Sequence, residues 1–417
     1  MPATLAAPTR RALLLGSGAL LSYAYLPRAA SAEPRDPRFL AIVLRGGLDG
    51  LAVVAPVGDP DWRKLRGDKA LTLDGASPAL PLDDFFALNP AMPNLHRLYR
   101  AGQALVVHAV ATPYRERSHF DGQDVLESGL PGPGATDTGW LNRALSTLTA
   151  GGSAAAQVQR AFAIGPITPL VMRGPAPVLS WMPPRLAPVG DDTVMRLLDL
   201  YRHTDPTFAG VLEEGIGVAT IARAGGMDAK PADGTPAVQT GGIAQVRAYF
   251  AEAAGAAAKF LGRPDGPRVG ALSLNGWDTH INEGADKGRL ADLLGALDGA
   301  IGAVESGMGA AWPDTVVALV TEFGRTARIN GNDGTDHGTA TAALFAGGAL
   351  KGGRVVTDWP GLKDADLHDK RDLKPTTDLR SVMKGLLRDH LRVDGRRLEA
   401  IVFPDSDAAR PIGGLLT

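Results

Sequence analysis

Several short runs in this chain are apolar at nearly every position. They are RFLAIVLRGG from Arg38, ALVVHAVA from Ala104, RVGALSL from Arg268, TVVALVTEF from Thr315 and TATAALFAGG from Thr339. Runs of this length predict strands buried on both faces. LAVVAP from Leu51 predicts a second, shorter strand. Between them the apolar positions shift to helical spacing. This predicts helices over MPNLHRLYRAG, which stops at Gly102, SHFDGQDVLESG, which stops at Gly129, TGWLNRALSTL, RLADLLGALDGAIGAVESG and DLRSVMKGLLRDHL. Strand and helix in alternation predict an α/β fold: a doubly wound, mostly parallel sheet covered on both faces.

The pattern breaks from about residue 150 to 265. AGGSAAAQ and MDAKPADGTPAVQTGG are linker-like, and PAPVLSWMPPRLAP is proline-rich and irregular. TVMRLLDLYRHT and IAQVRAYFAEAAGAAAKFL are helical. The stretch reads as a mainly helical insertion in one α/β domain spanning 33–417.

Composition adds exclusions. Hydrophobic content of 45% and charge of 21% are those of a globular chain. A net charge of −2 with no basic run argues against a nucleic-acid partner. Cysteine is absent, so disulfides and thiolate metal sites are excluded. At the start, Arg10-Arg11 precede an apolar stretch too short to span a bilayer, and Ala30-Ser31-Ala32 follows as a small-x-small cleavage signal. Residues 1–32 are therefore expected to be an export signal of twin-arginine type. The expected partner is the twin-arginine translocation machinery and the expected location periplasmic or secreted, with no membrane span after cleavage.

In open α/β sheets ligands bind beyond the carboxyl ends of strands. The polar residues there are Asp49, then Ser118, His119 and Asp121, then Asp278 and His280, then Glu322 and Arg325; Asp336 and His337 stand just before TATAALF. Aspartate and histidine without cysteine suit a divalent metal: zinc, manganese, magnesium or calcium. Each residue also has a plainer role. Asp49 between glycines can be a turn residue, and Ser118 can cap a helix. His119 can pack or cap, and Glu322 can pair with Arg325. Asp278 and His280, two apart, point the same way if the backbone is extended. Glycines on each side of Asp336-His337 permit a tight turn. His96, His108, His203 and His390 fall in ordinary helix or strand patterns and are read as structural or solvated.

The ordered blocks FLAIVLRGGLDGLAVVAP, RSHFDGQDVLESG, GWDTH, TEFGRT, GTDHG and RDLKPTTDLRSV resemble the bacterial domain-of-unknown-function family 1501. That family is grouped by fold with the alkaline phosphatase and sulfatase superfamily. The resemblance implies an alkaline phosphatase-like core and a metal-dependent hydrolase of a small anionic ester, phosphate before sulfate. It implies Ser118 as nucleophile, with Asp49, Asp336 and His337 on one metal and Asp278 and His280 on another. Arg325 would steady the transition-state charge. His280 follows Asp278 by two residues, where the superfamily pattern has four. His368 is a candidate for a further ligand near the C-terminus, and Asp378 is expected to cap the last long helix. The alternative expectation is a non-catalytic binding or assembly module of the cell envelope on the same fold.

Overall fold

The computed structural model describes residues 35–149, 161–164, 168–181, 191–224, 242–264 and 266–417. The expected export signal and the linker-like stretches 150–160 and 225–241 lie outside the described residues.

Twelve strands occur in chain order among the described residues: β1 Arg38–Arg45, β2 Val54–Ala55, β3 Leu80–Pro81, β4 Ala87–Leu88, β5 Ala104–Ala111, β6 Ala161–Ile164, β7 Leu179–Trp181, β8 Val269–Asn275, β9 Thr315–Val320, β10 Thr341–Ala346, β11 Arg354–Val356 and β12 Thr377–Asp378. Nine of them form one sheet in the order β11-β5-β10-β9-β1-β8-β6-β7, with β12 also paired to β5. β2, β4 and β3 make a small separate sheet.

β1 runs through the middle, parallel to β8 on one side and β9 on the other. Its side chains alternate between two cores. Leu40, Ile42 and Leu44 join the core that holds the helices Ile243–Leu261 and Arg289–Met308. Phe39, Ala41 and Val43 join the core that holds Trp140–Thr149 and Leu379–Asp389. Helices thus cover both faces, and the uniformly apolar strands follow from that burial. Asp378 accepts the Arg380 N–H and caps the helix Leu379–Asp389, as its position in the sequence suggests.

Two local expectations are corrected. LAVVAP is mostly not a strand: Gly50–Val53 is one helical turn, because the Asp49 side chain accepts the N–H groups of Leu51 and Ala52, and only Val54–Ala55 is extended. The segment read as an insertion contributes to the main sheet: β6 pairs with β8, and β7, inside the proline-rich stretch, pairs with β6. Within the mostly parallel sheet that was expected, β10 is antiparallel to both β5 and β9. That reversal matters for the site, because the start of β10 lies beside the ends of its neighbours.

Among the described residues no helix is long and apolar enough to cross a membrane.

Candidate metal centre

Four chain segments meet at one edge of the sheet. His119 follows β5, Asp278 and His280 follow β8, Glu322 and Arg325 follow β9, and Asp336-His337 precede the antiparallel β10. Residues before one strand therefore face residues after three others.

Burial alternates along the loop after β8. Thr279 is fully buried, while Asp278 and His280 turn outward. The glycines around Asp336-His337 serve close approach. A Cβ on Gly334 would stand 2.2 Å from the His280 carbonyl oxygen, and one on Gly338 would stand 2.4 Å from the Arg325 backbone. Only glycine lets this segment lie directly against both partner loops.

One oxygen is the focus. Asp278 Oδ1 lies 2.8 Å from Arg325 Nη1, 2.9 Å from His280 Nε2, 3.2 Å from His337 Nε2 and 3.4 Å from His119 Nε2. His280 Nε2 and His337 Nε2 are 3.0 Å apart. Ligand atoms of His119, Asp278 and His337 all lie within 4.8 Å of one another.

Hydrogen bonds behind the rings assign their tautomers. His337 Nδ1 is 2.8 Å from the Arg117 carbonyl oxygen, which can only accept, so Nδ1 carries the proton. His119 Nδ1 is 2.9 Å from Glu322 Oε1. Glu322 is fully buried and also accepts from Gly46 N–H, Gln123 and Thr321. Burial alone would raise its pKa, but the His119 bond and these donors hold it below the usual range. An ionised Glu322 therefore takes the Nδ1 proton of His119. In each neutral ring, Nε2 is then a bare lone pair aimed at a carboxylate.

Lone pairs facing a carboxylate repel unless something positive lies between them. In the protein alone, a proton does so. The Asp278 carboxylate, 3.4 Å from Nε2, and then Glu322 raise the His119 pKa to about 9. Burial pushes Asp278 up, but His119, His337, Arg325 and His280 outweigh it and hold it well below the ordinary carboxylate range. His119 Nε2 is buried and has no hydrogen-bond partner of proper geometry. A buried, unpaired imidazole nitrogen beside a carboxylate and a second imidazole is a set of donors that suits a divalent cation.

The sequence motifs from Arg117 onward also find a counterpart. A family model described as "Protein of unknown function (DUF1501)" matches residues 101–402, more than half of the chain.

The chain belongs to DUF1501.

No curated protein matches this DUF1501 chain. Among solved structures it is similar to the phosphonate monoester hydrolase of Agrobacterium radiobacter, at 12% identity and a TM-score of 0.36 over 86% of this chain and 74% of that one. It is also similar to an alkaline phosphatase superfamily protein from Vibrio parahaemolyticus, at 10% identity and a TM-score of 0.33 over 80% and 69%. A third is the C-terminal periplasmic domain of EcEptC from Escherichia coli in complex with Zn, at 12% identity and a TM-score of 0.33 over 75% and 73%. The chemistry of the DUF1501 site rests on its own geometry.

That geometry redistributes the expected residues. Asp278, His280, His337 and Arg325 converge. Asp336 stands at the rim, 3.5 Å from His280 Nδ1 and bonded to Asn330, which holds its carboxyl below the usual range. Asp49 is committed elsewhere. Its two oxygens lie 2.5 and 2.9 Å from the Arg66 guanidinium, both side chains are buried, and Oδ1 also accepts two backbone N–H groups. The division into one metal on Asp49, Asp336 and His337 and another on Asp278 and His280 is not the arrangement seen, because His337 and Asp278 share one grouping with His119.

Ser118 is the first residue before helix His119–Ser128, and its side chain does not cap it. It stands between His119 and Arg117, whose carbonyl holds His337. Arg117 has a left-handed backbone, φ 62°, and its guanidinium is fixed by Asp372 at 2.8 Å. His368 pairs with Asp369, outside the grouping. Glu322 does not pair with Arg325; each has its own imidazole or carboxylate partner.

Sequence reasoning placed His119 and Glu322 among the strand-end candidates but not in the ligand set. The signal was present: a histidine directly after a helix-start serine, and a glutamate directly after a buried strand. The other histidines behave as structural or solvated residues. His108 and His390 are buried against the Val54 and Arg38 carbonyls, and burial pushes both down to about 4.

Proposed function

We propose that this DUF1501 protein is an exported, divalent-metal-dependent hydrolase of a small anionic ester, phosphate in preference to sulfate. The observation that carries the reading is the convergence of the unpaired His119 Nε2, the Asp278 carboxylate and His337 Nε2 beside the Arg325 guanidinium.

His119, Asp278 and His337 hold the cation, with His280 next to them. Zinc or manganese fits two imidazoles and a carboxylate better than calcium or magnesium does. A divalent cation bound there would polarise an ester oxygen and lower the pKa of a nearby hydroxyl or water.

The protein's own groups do the rest. Arg325 is fully buried and spends Nη1 on Asp278, while its Nε and Nη2 have no hydrogen-bond partner. Two unpaired donors on one planar fork match two oxygens of an anion. Ser118, half-buried and not engaged in capping, is the nucleophile candidate, placed by its neighbours His119 and Arg117. A single grouping of ligands favours one tightly held cation over two.

Export is supported by Arg10-Arg11, the apolar stretch and Ala30-Ser31-Ala32. It makes the translocation machinery a partner and the cell envelope or exterior the place of action.

The test is hydrolysis of p-nitrophenyl phosphate and p-nitrophenyl sulfate by protein loaded with zinc or manganese. The expected result is phosphate turnover above sulfate turnover, reduced at least ~100-fold by Ser118→Ala or Arg325→Met. Metal-loaded protein that hydrolyses neither overturns the hydrolase reading and favours a binding or assembly module.

A further inference from the structure

Two motif residues have no part in the chemistry above: Thr279 in GWDTH and Thr335 in GTDHG. Both are fully buried. Their hydroxyls meet on one side chain. Thr279 Oγ1 donates to Glu283 Oε1 at 2.8 Å, and Thr335 Oγ1 donates to Glu283 Oε2 at 2.7 Å. The Thr335 N–H also donates to the Thr279 carbonyl at 3.2 Å.

Thr279 lies between Asp278 and His280, and Thr335 lies two residues before His337. Alternation puts Thr279 behind Asp278 and His280, and in the other loop Thr335 is buried while Asp336 is exposed and His337 half-buried. Glu283 itself does not drift. Its N–H donates to the Asp333 carbonyl at 2.9 Å, and its carbonyl accepts the Leu290 N–H at 2.9 Å, in the first turn of helix Arg289–Met308. One buried carboxyl thereby references both ligand loops to a twenty-residue helix.

We propose that Glu283 is a positioning residue that sets the distance from His337 to Asp278 and His280, acting through Thr279 and Thr335. This rests on the metal-centre reading. Burial, with the Asp49 charge nearby, pushes the Glu283 carboxyl up to about 8. Glutamine keeps the shape and one accepting oxygen, and its NH2 can donate to the other threonine hydroxyl, so it is the conservative replacement, while alanine removes the bridge.

The experiment is a Co²⁺ titration of the full chain, read by the d–d absorption band and its affinity, beside a melting curve for each variant. Glu283→Gln keeps the wild-type band with affinity within about 3-fold. Glu283→Ala lowers affinity about 10–100-fold, as loss of an outer support does, and alters the band. Thr279→Val and Thr335→Val each lower affinity, and neither lowers it further in the Glu283→Ala background. Should Glu283→Ala fail to fold, the two valine variants and their combination in Glu283→Gln carry the test. Valine variants that melt lower but bind Co²⁺ with wild-type affinity and band overturn this inference alone. A wild-type protein that binds no Co²⁺ overturns the metal-centre reading and this inference with it.

Discussion

His119 Nδ1 lies 2.9 Å from the buried carboxylate of Glu322, and that contact decides which imidazole nitrogen faces Asp278. A carboxylate behind a ligating histidine fixes the tautomer and makes the free nitrogen a better donor. Glu322→Gln keeps the shape but removes the charge, and glutamine can present an N–H to the ring instead. Zinc affinity, measured by competition with a chromophoric chelator, is expected to fall about 10–100-fold with little change in melting temperature. Unchanged affinity would mean that Glu322 is only a packing element.

Asp49 separates a structural role from a ligand role. It is locked onto Arg66 with both side chains buried. Removing one partner leaves the other charge buried and uncompensated, at a cost of about 3–5 kcal/mol. Asp49→Ala is expected to lower stability by that order in urea denaturation while the folded fraction keeps its metal stoichiometry. Loss of metal without loss of stability would restore Asp49 as a ligand.

Gly334 and Gly338 are required for close approach. Alanine at either places a methyl within 2.4 Å of backbone atoms that cannot yield cheaply. Each substitution is expected to destabilise by about 1–3 kcal/mol and to weaken metal binding through displaced loops. Gly331→Ala, which meets open space, is the control and is expected to be neutral.

Much of this was legible in the chain. The apolar runs at Arg38, Ala104, Arg268 and Thr315 are strands because burial on both faces leaves no polar alternation to hide them. β6 and β7 escaped notice because four and three residues carry no usable period, and tertiary pairing with β8 makes them strands. The antiparallel sense of β10 is also invisible locally, yet it brings His337 to the ends of β5 and β9. Asp49 looks alike in sequence whether it binds a cation or caps a turn beside an arginine. The deciding partner, Arg66, lies in a short helix with no pattern that announces it. His119 was obscured by a position equally suited to a helix start.

His108 gives a pH prediction independent of the site. Burial lowers its folded pKa to about 4, while the unfolded value is near 6.5. The unfolded chain therefore binds more protons between those values. The stability due to neutral His108 is fully present above about pH 6.5 and is lost as pH falls toward about 4. His108→Gln can keep the hydrogen bond to the Val54 carbonyl but does not titrate. Its stability is expected to fall less steeply than wild type from pH 6.5 to 4, measured by denaturant unfolding. Parallel curves would contradict the assignment.

The central claim is that His119, Asp278 and His337 jointly hold one divalent cation. Calorimetric titration of the metal-stripped full chain with Zn²⁺ tests it most directly. The account predicts one tight site per chain, abolished or weakened at least ~100-fold in His119→Ala and in His337→Ala, both of which remain folded. No binding by the wild type, or binding by His119→Ala equal to wild type, would contradict it.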